Sequence, residues 1–223
     1  MVHPRPLVES LKSIIEKSYG MPVVIEDIGP FIVGDAGVQA LYGKVAEPVS
    51  REGQGARILV RDAGPILRAA LYYPDSLVRH LERFNPLEGI GDVNINAFAV
   101  FIEELDHLLT LAHRAAERRP VSLLELEHHA NVTKYLIVVH FLGRQSGRRR
   151  LPEMLKIWAR HHLFERFSRD EGEGEARYRD AARLASKYVS YLESLPIEER
   201  RAELRAFHRR RFAETLMLLE RRN

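Results

Sequence analysis

The chain has 223 residues, of which 45% are hydrophobic and 29% charged, with no cysteine and a formal net charge of +3. That length holds one domain, or one domain with an appendage, and the apolar fraction excludes a disordered or collagen-like chain. The absence of cysteine excludes disulfides, thiolate zinc sites, iron–sulfur clusters and cysteine nucleophiles, so any metal must be held by His, Asp or Glu.

Leu7, Leu11, Ile14 and Ile15 recur at helical spacing, and Gly20 and Pro22 close that first helix. The run Val23–Ile25 predicts a strand, and a second is expected near Val38–Val45. Arg57–Arg61 and Ile66–Tyr73 flank an Asp62-Ala-Gly-Pro65 turn and read as a hairpin. A short helix follows over Ser76–Phe84.

From Val93 the pattern is helical throughout. Phe98, Phe101, Ile102, Leu105, Leu108, Leu109 and Ala112 form the apolar stripe of a long helix that ends before Pro120. Ser122 with Glu125 three residues on is a capping-box pattern opening a second helix, to about Leu142. Further helices are expected over 152–167, 175–195 and 196–221, separated by loops at 144–150 and 168–174. Strands first and helices afterwards predict an α+β fold with a mixed or antiparallel N-terminal sheet and a helical C-terminal half.

Charge divides the chain in the same place. Residues 1–143 carry 14 basic and 18 acidic side chains, and residues 144–223 carry 20 and 13. We therefore expect an α+β unit over 1–143 and an Arg-rich helical extension over 144–223 packed on it. The Arg residues of the last helix alternate with Glu198, Glu199, Glu203 and Glu214, the mix of a solvated helix, which disfavours nucleic acid and leaves a peptide or protein partner as the alternative. The longest apolar stretch, Tyr135–Gly143, is too short to span a bilayer, and the N-terminus lacks a signal-peptide core. The expectation is a cytoplasmic protein without a membrane partner.

Chemistry concentrates in the two central helices. Glu103, Glu104 and His107 share a helix side, and Glu127-His128-His129 follows on the next helix, with nineteen residues between His107 and Glu127. The turn at 118–120 makes the helices antiparallel neighbours and sets His107 and Glu127 at an axial offset of roughly 6 Å, which two side chains and a metal can span. A ferritin-like reading, with Glu104/His107 and Glu125/His128 as paired E-x-x-H motifs, leaves an axial mismatch of about 13 Å and is weaker. Neither His128-His129 nor His161-His162 can chelate as a pair, because adjacent helical residues diverge by about 100°; one member of each is expected to face solvent.

The pattern Glu103-Glu104-Leu105-Asp106-His107, then Glu127, resembles the gluzincin branch of the zinc metallopeptidases over about residues 57–142. That family carries H-E-x-x-H on one helix and a glutamate ligand on the next. The resemblance implies Glu104 as general base and His107 and Glu127 as ligands, with Glu103 standing where the family has its first histidine. It also implies a zincin-like fold holding one divalent metal. Two carboxylates cancel the metal charge, leave its water less acidic and favour harder ions, so Mn²⁺ is as reasonable as Zn²⁺, and the site without any metal is weighed equally. Asn131, one turn after Glu127, is a candidate to orient it. The expectation is therefore a metallopeptidase-like protein with a degenerate metal site, leaning away from efficient peptidase activity. The alternative is a non-enzymatic interaction or regulatory module using the Arg-rich helices.

Overall fold

A computed structural model describes residues 5–42, 55–62, 67–148, 150–165 and 175–221. Helix α1 (Arg5–Tyr19) is followed by an extended segment, strand β1 (Ile32–Val33), helix α2 (Asp35–Tyr42), strands β2 (Arg57–Asp62) and β3 (Leu67–Tyr72), and helix α3 (Asp75–Arg83). The remainder is helical: α4 (Ile95–Ala116), α5 (Leu123–Ser146), α6 (Glu153–Arg160), α7 (Glu175–Ser194), α8 (Ile197–Arg209) and α9 (Phe212–Glu220). A small sheet beside a helical majority is the α+β architecture expected from the sequence.

The sheet runs β1-β3-β2, with β2 antiparallel to β3 and β1 parallel to it. The two predicted hairpin strands thus pair as expected, while residues 63–66 of the expected turn lie outside the described set. Two other strand expectations fail. Val23–Ile25 pairs with nothing in the sheet; Val23 and Val24 are exposed while Ile25 alone is buried. The neighbourhood of Val38 is helical, and Val38 is buried there; residues 43–45 of that expected strand lie outside the described set. Val23–Ile25 is an apolar run of three residues, too short for periodicity to assign.

Helices α4 and α5 are the spine. The stripe Phe98, Phe101, Ile102, Leu105 and Leu108 is fully buried, facing β3 on one side and α5 on another. Arg118, at φ 54°, is the only non-glycine residue with positive φ among the described residues, and this left-handed residue ends α4. The Ser122 hydroxyl then accepts the Glu125 amide and caps α5. The Glu125 carboxylate does not complete the reciprocal bond; it pairs with Arg114 across the turn. Asp106–His129, His107–Glu127 and Arg114–Glu125 approach the turn in step, which fixes the two helices as antiparallel.

Helix α5 reaches Ser146, beyond the expected end, and stops at Gly147 in the left-handed conformation. The expected third helix continues past α6 as a π-helical turn over His161–Glu165; its last residues and the 168–174 loop lie outside the described set. The expected fifth helix divides at Arg210-Arg211 into α8 and α9. The apolar core is continuous from α1 through α4 and α5 to α7, α8 and α9, so residues on both sides of position 143 share it.

Candidate metal centre

The α4–α5 register brings Glu103, His107 and Glu127 together, each offering one ligand atom within 4.8 Å of the others. Glu103 and His107 are one turn apart on α4, and Glu127 faces them from α5. His107 Nε2 lies 3.8 Å from Glu127 Oε2. Both atoms are buried without a hydrogen-bond partner. Orphaned buried polar atoms are costly, and a pair of them facing one another is the pattern a cation would satisfy. An ion bound at about 2.1 Å holds adjacent donors roughly 3–3.5 Å apart, so the 3.8 Å pair needs only a small closure.

The imidazole is braced from its other nitrogen. Glu104 Oε2 lies 3.6 Å from His107 Nδ1 and accepts the Ile58 amide at 2.8 Å. Ile58 is on β2, an edge strand, so Glu104 satisfies an amide that the sheet leaves open and ties the sheet to the helix. Glu104 therefore stands on the Nδ1 side, where a carboxylate orients a ligating histidine. It does not face the Nε2 side, where a base for metal-bound water would have to stand. Asn131 donates to the Glu127 main-chain carbonyl at 2.8 Å, so it braces the helix and makes no hydrogen bond to the carboxylate.

A fourth group belongs to the cluster. Lys134 of α5, with its side chain 2% exposed, places Nζ 2.6 Å from Glu103 Oε2. It lies two turns after Glu127 on the same helix face, a spacing visible in the sequence but not used there. Burial works to raise the Glu103 carboxyl, but Lys134 and His107 outweigh it and hold it below the usual range. Burial pushes the Glu127 carboxyl up, to about 7, with the Glu103 charge adding to the effect. Two carboxyls in one pocket are thus driven apart. Burial disfavours charge on His107, yet its contact with Glu104 and the charges of Glu103 and Glu127 raise it to about 9. Against these carboxyl groups stand the Lys134 ammonium and the His107 imidazole, each within 4 Å of a carboxylate oxygen. Helix α7 covers this region with Tyr178, whose phenol is raised by burial and by the charges of Glu127 and Glu103.

A second buried polar cluster fills the next face of the same helix pair. Asp106 accepts Thr133 Oγ1 at 2.7 Å and meets His129 Nδ1 at 2.8 Å. His129 Nε2 lies 3.1 Å from His208 Nδ1, and His208 Nε2 lies 3.1 Å from His113 Nδ1. Tyr19 joins at Thr133, and Arg114 donates to the His208 carbonyl at 2.6 Å. This chain ties α1 and α8 to the spine. Both His128 and His129 are buried, which corrects the expectation that one faces solvent; His128 sits among Tyr188, Phe207 and Phe212. His161 and His162 behave as expected, one exposed and one buried. The two E-x-x-H motifs do not share a site, since Glu125 serves Arg114 and His128 serves the aromatic core.

Arg-rich α8 uses some of its cations internally. Arg200 caps the Glu193 and Leu195 carbonyls at the end of α7, and Arg210 forks onto Glu203. Among the described residues no helix is long and apolar enough to cross a membrane. Comparison with family models, with curated proteins and with solved structures finds no match to this chain.

Proposed function

We propose that this chain is a metallopeptidase-like protein with a degenerate centre for one divalent metal, formed by Glu103, His107 and Glu127, and that it lacks efficient peptidase activity. One observation carries the reading: His107 Nε2 and Glu127 Oε2 are buried, face one another and have no hydrogen-bond partner, with Glu103 beside them. Three protein donors leave further positions on the ion open, as a centre that contacts a small ligand requires. Two carboxylates neutralise a divalent ion, so its water stays a weak acid and the harder ions are favoured. Glu104, held by the Ile58 amide and turned to His107 Nδ1, orients the imidazole; this leaves peptide hydrolysis without its base.

The test is metal reconstitution of purified protein followed by elemental analysis. The expected result is one Mn²⁺ or Zn²⁺ per chain, lost in His107→Ala, with no cleavage of a generic peptide pool by the loaded protein. Wild-type protein that retains no stoichiometric ion overturns the metal centre. Peptide cleavage that disappears in Glu104→Gln overturns the non-peptidase part and restores Glu104 as base.

A further inference from the structure

Lys134 is the group in the cluster that a simple ligand set does not explain. A buried ammonium 2.6 Å from a proposed ligand carboxylate occupies the place of a cation in the charge balance of the site. Its side chain is 2% exposed, whereas that of Glu103 is 14% exposed, so the ammonium approaches from the protein side and not from solvent. Lys134 lies two turns after Glu127 on α5, with its ammonium on the Glu103 carboxylate. A divalent ion seated among Glu103, His107 and Glu127 would stand within a few ångströms of that ammonium. At such distances, inside a protein, the repulsion between like charges is well above thermal energy.

Resting on the metal-centre reading above, we propose that Lys134 is an internal competitor for the metal: its ammonium, bonded to Glu103, sets the concentration at which the centre loads. The site then fills when divalent ions are plentiful and closes on Lys134 when they are scarce. Such a centre responds to metal; it does not hold a permanent cofactor. Glu103 is the shared element, bound by the ammonium in one state and by the ion in the other. Lys134 is a positioning residue in this scheme, because it acts through Glu103 and not on the ion itself.

The experiment measures Mn²⁺ and Zn²⁺ affinity by calorimetry at one fixed pH for wild type, Lys134→Met and Lys134→Arg. Lys134→Met is expected to bind at least tenfold more tightly than wild type, and Lys134→Arg to stay within a few-fold of it, since it keeps the charge. Wild-type binding with an equal or weaker Lys134→Met overturns the competition while leaving the metal centre standing. No binding by any of the three overturns both. Binding by Lys134→Met alone overturns both for the wild-type chain, because an ammonium that never yields to the ion is not a competitor for it. A measurement without a variant covers the case in which Lys134→Met does not fold. The chain has six lysines. In a sample carrying ¹³C at the lysine ε-carbon, Zn²⁺ is expected to shift the Lys134 signal as the ammonium leaves Glu103. Stoichiometric Zn²⁺ binding with that signal unmoved overturns the proposal.

Discussion

Glu103, His107 and Glu127 lie on the same two helices as Asp106, His129 and Thr133, yet the two clusters are finished in opposite ways. In the Asp106 cluster both carboxylate oxygens, the Thr133 hydroxyl and both ring nitrogens of His129 and His208 have partners, and the chain Asp106–His129–His208–His113 runs unbroken between α4, α5 and α8, with Arg114 Nη1 at its edge left without a hydrogen bond. In the Glu103 cluster two buried atoms are left facing one another without a partner. Fully satisfied buried networks specify and rigidify a fold, while a deliberate gap in one calls for something from outside the chain. Both clusters read as His and acidic residues at helical spacing. Hydrogen-bond accounting separates them, and residue type does not.

Three measurements can break or sharpen that contrast. The largest effect belongs to the satisfied cluster. Asp106→Ala removes the partner of a fully buried pair and is expected to cost about 3–5 kcal/mol in urea unfolding, because His129 and Thr133 remain buried beside the gap. A loss under about 1 kcal/mol would show that the chain of imidazoles is not structural.

The second effect is acid sensitivity, which should come from the buried histidines on that side of the spine. Burial, with neighbouring positive charge, lowers His208 and His113, and burial lowers His128 to about 3. A histidine depressed in the folded state binds its proton more readily when unfolded. Its contribution is therefore complete above the unfolded value of about 6.5 and is lost as pH falls below it. For His128 the loss by pH 5 is about 2 kcal/mol. Unfolding curves at pH 7.5 and pH 5 should show this difference, and His128→Phe should lessen it. Equal stability of the wild type at both values would contradict the neutral, buried state of these rings.

The smallest effect belongs to the open cluster. The Glu127 carboxyl is raised to about 7 by burial, so its charged form is a burden on the folded state. A raised carboxyl contributes stability below its unfolded value of about 4.5 and loses it as pH rises through 7. Glu127→Gln removes that burden of about 3 kcal/mol, but it also removes the charge beside His107, so the net expectation is a stabilisation of about 1 kcal/mol at pH 8, no such effect at pH 4, and loss of metal binding. A variant less stable than wild type at pH 8 would make Glu127 a structural residue.

Much of the open cluster was legible in the sequence, and little of the closed one. Glu103, His107 and Glu127 follow from helical spacing and a short antiparallel turn, which Pro120 and the Ser122 cap announce. His208 lies 79 residues from His129, and no local rule links them. The break between α8 and α9 falls at two arginines, with neither Gly nor Pro to signal it. Glu104 shows a subtler limit. Its spacing matched a catalytic base, whereas its bond to the edge amide of Ile58 depends on where β2 is placed, which no helical spacing reveals. Val38 fell to helix α2 because a four-residue apolar repeat and a strand look alike over so short a run.

The Asp106 network also has a direction. A carboxylate can only accept, so a His129 hydrogen sits on Nδ1, and whenever that ring is neutral its Nε2 accepts in turn. That obliges neutral His208 to carry its hydrogen on Nδ1, and His113 likewise; the Thr133 hydroxyl is spent on Asp106, so Tyr19 must donate to Thr133. One side chain thus dictates the tautomer of three rings and the rotor of two hydroxyls, from helix α1 to helix α8. Replacing Asp106 with Asn would keep the shape and erase the grammar: every downstream ring would be free to read its neighbours in either sense. Nitrogen-15 spectra of the histidines would then show mixed tautomers as far away as His113.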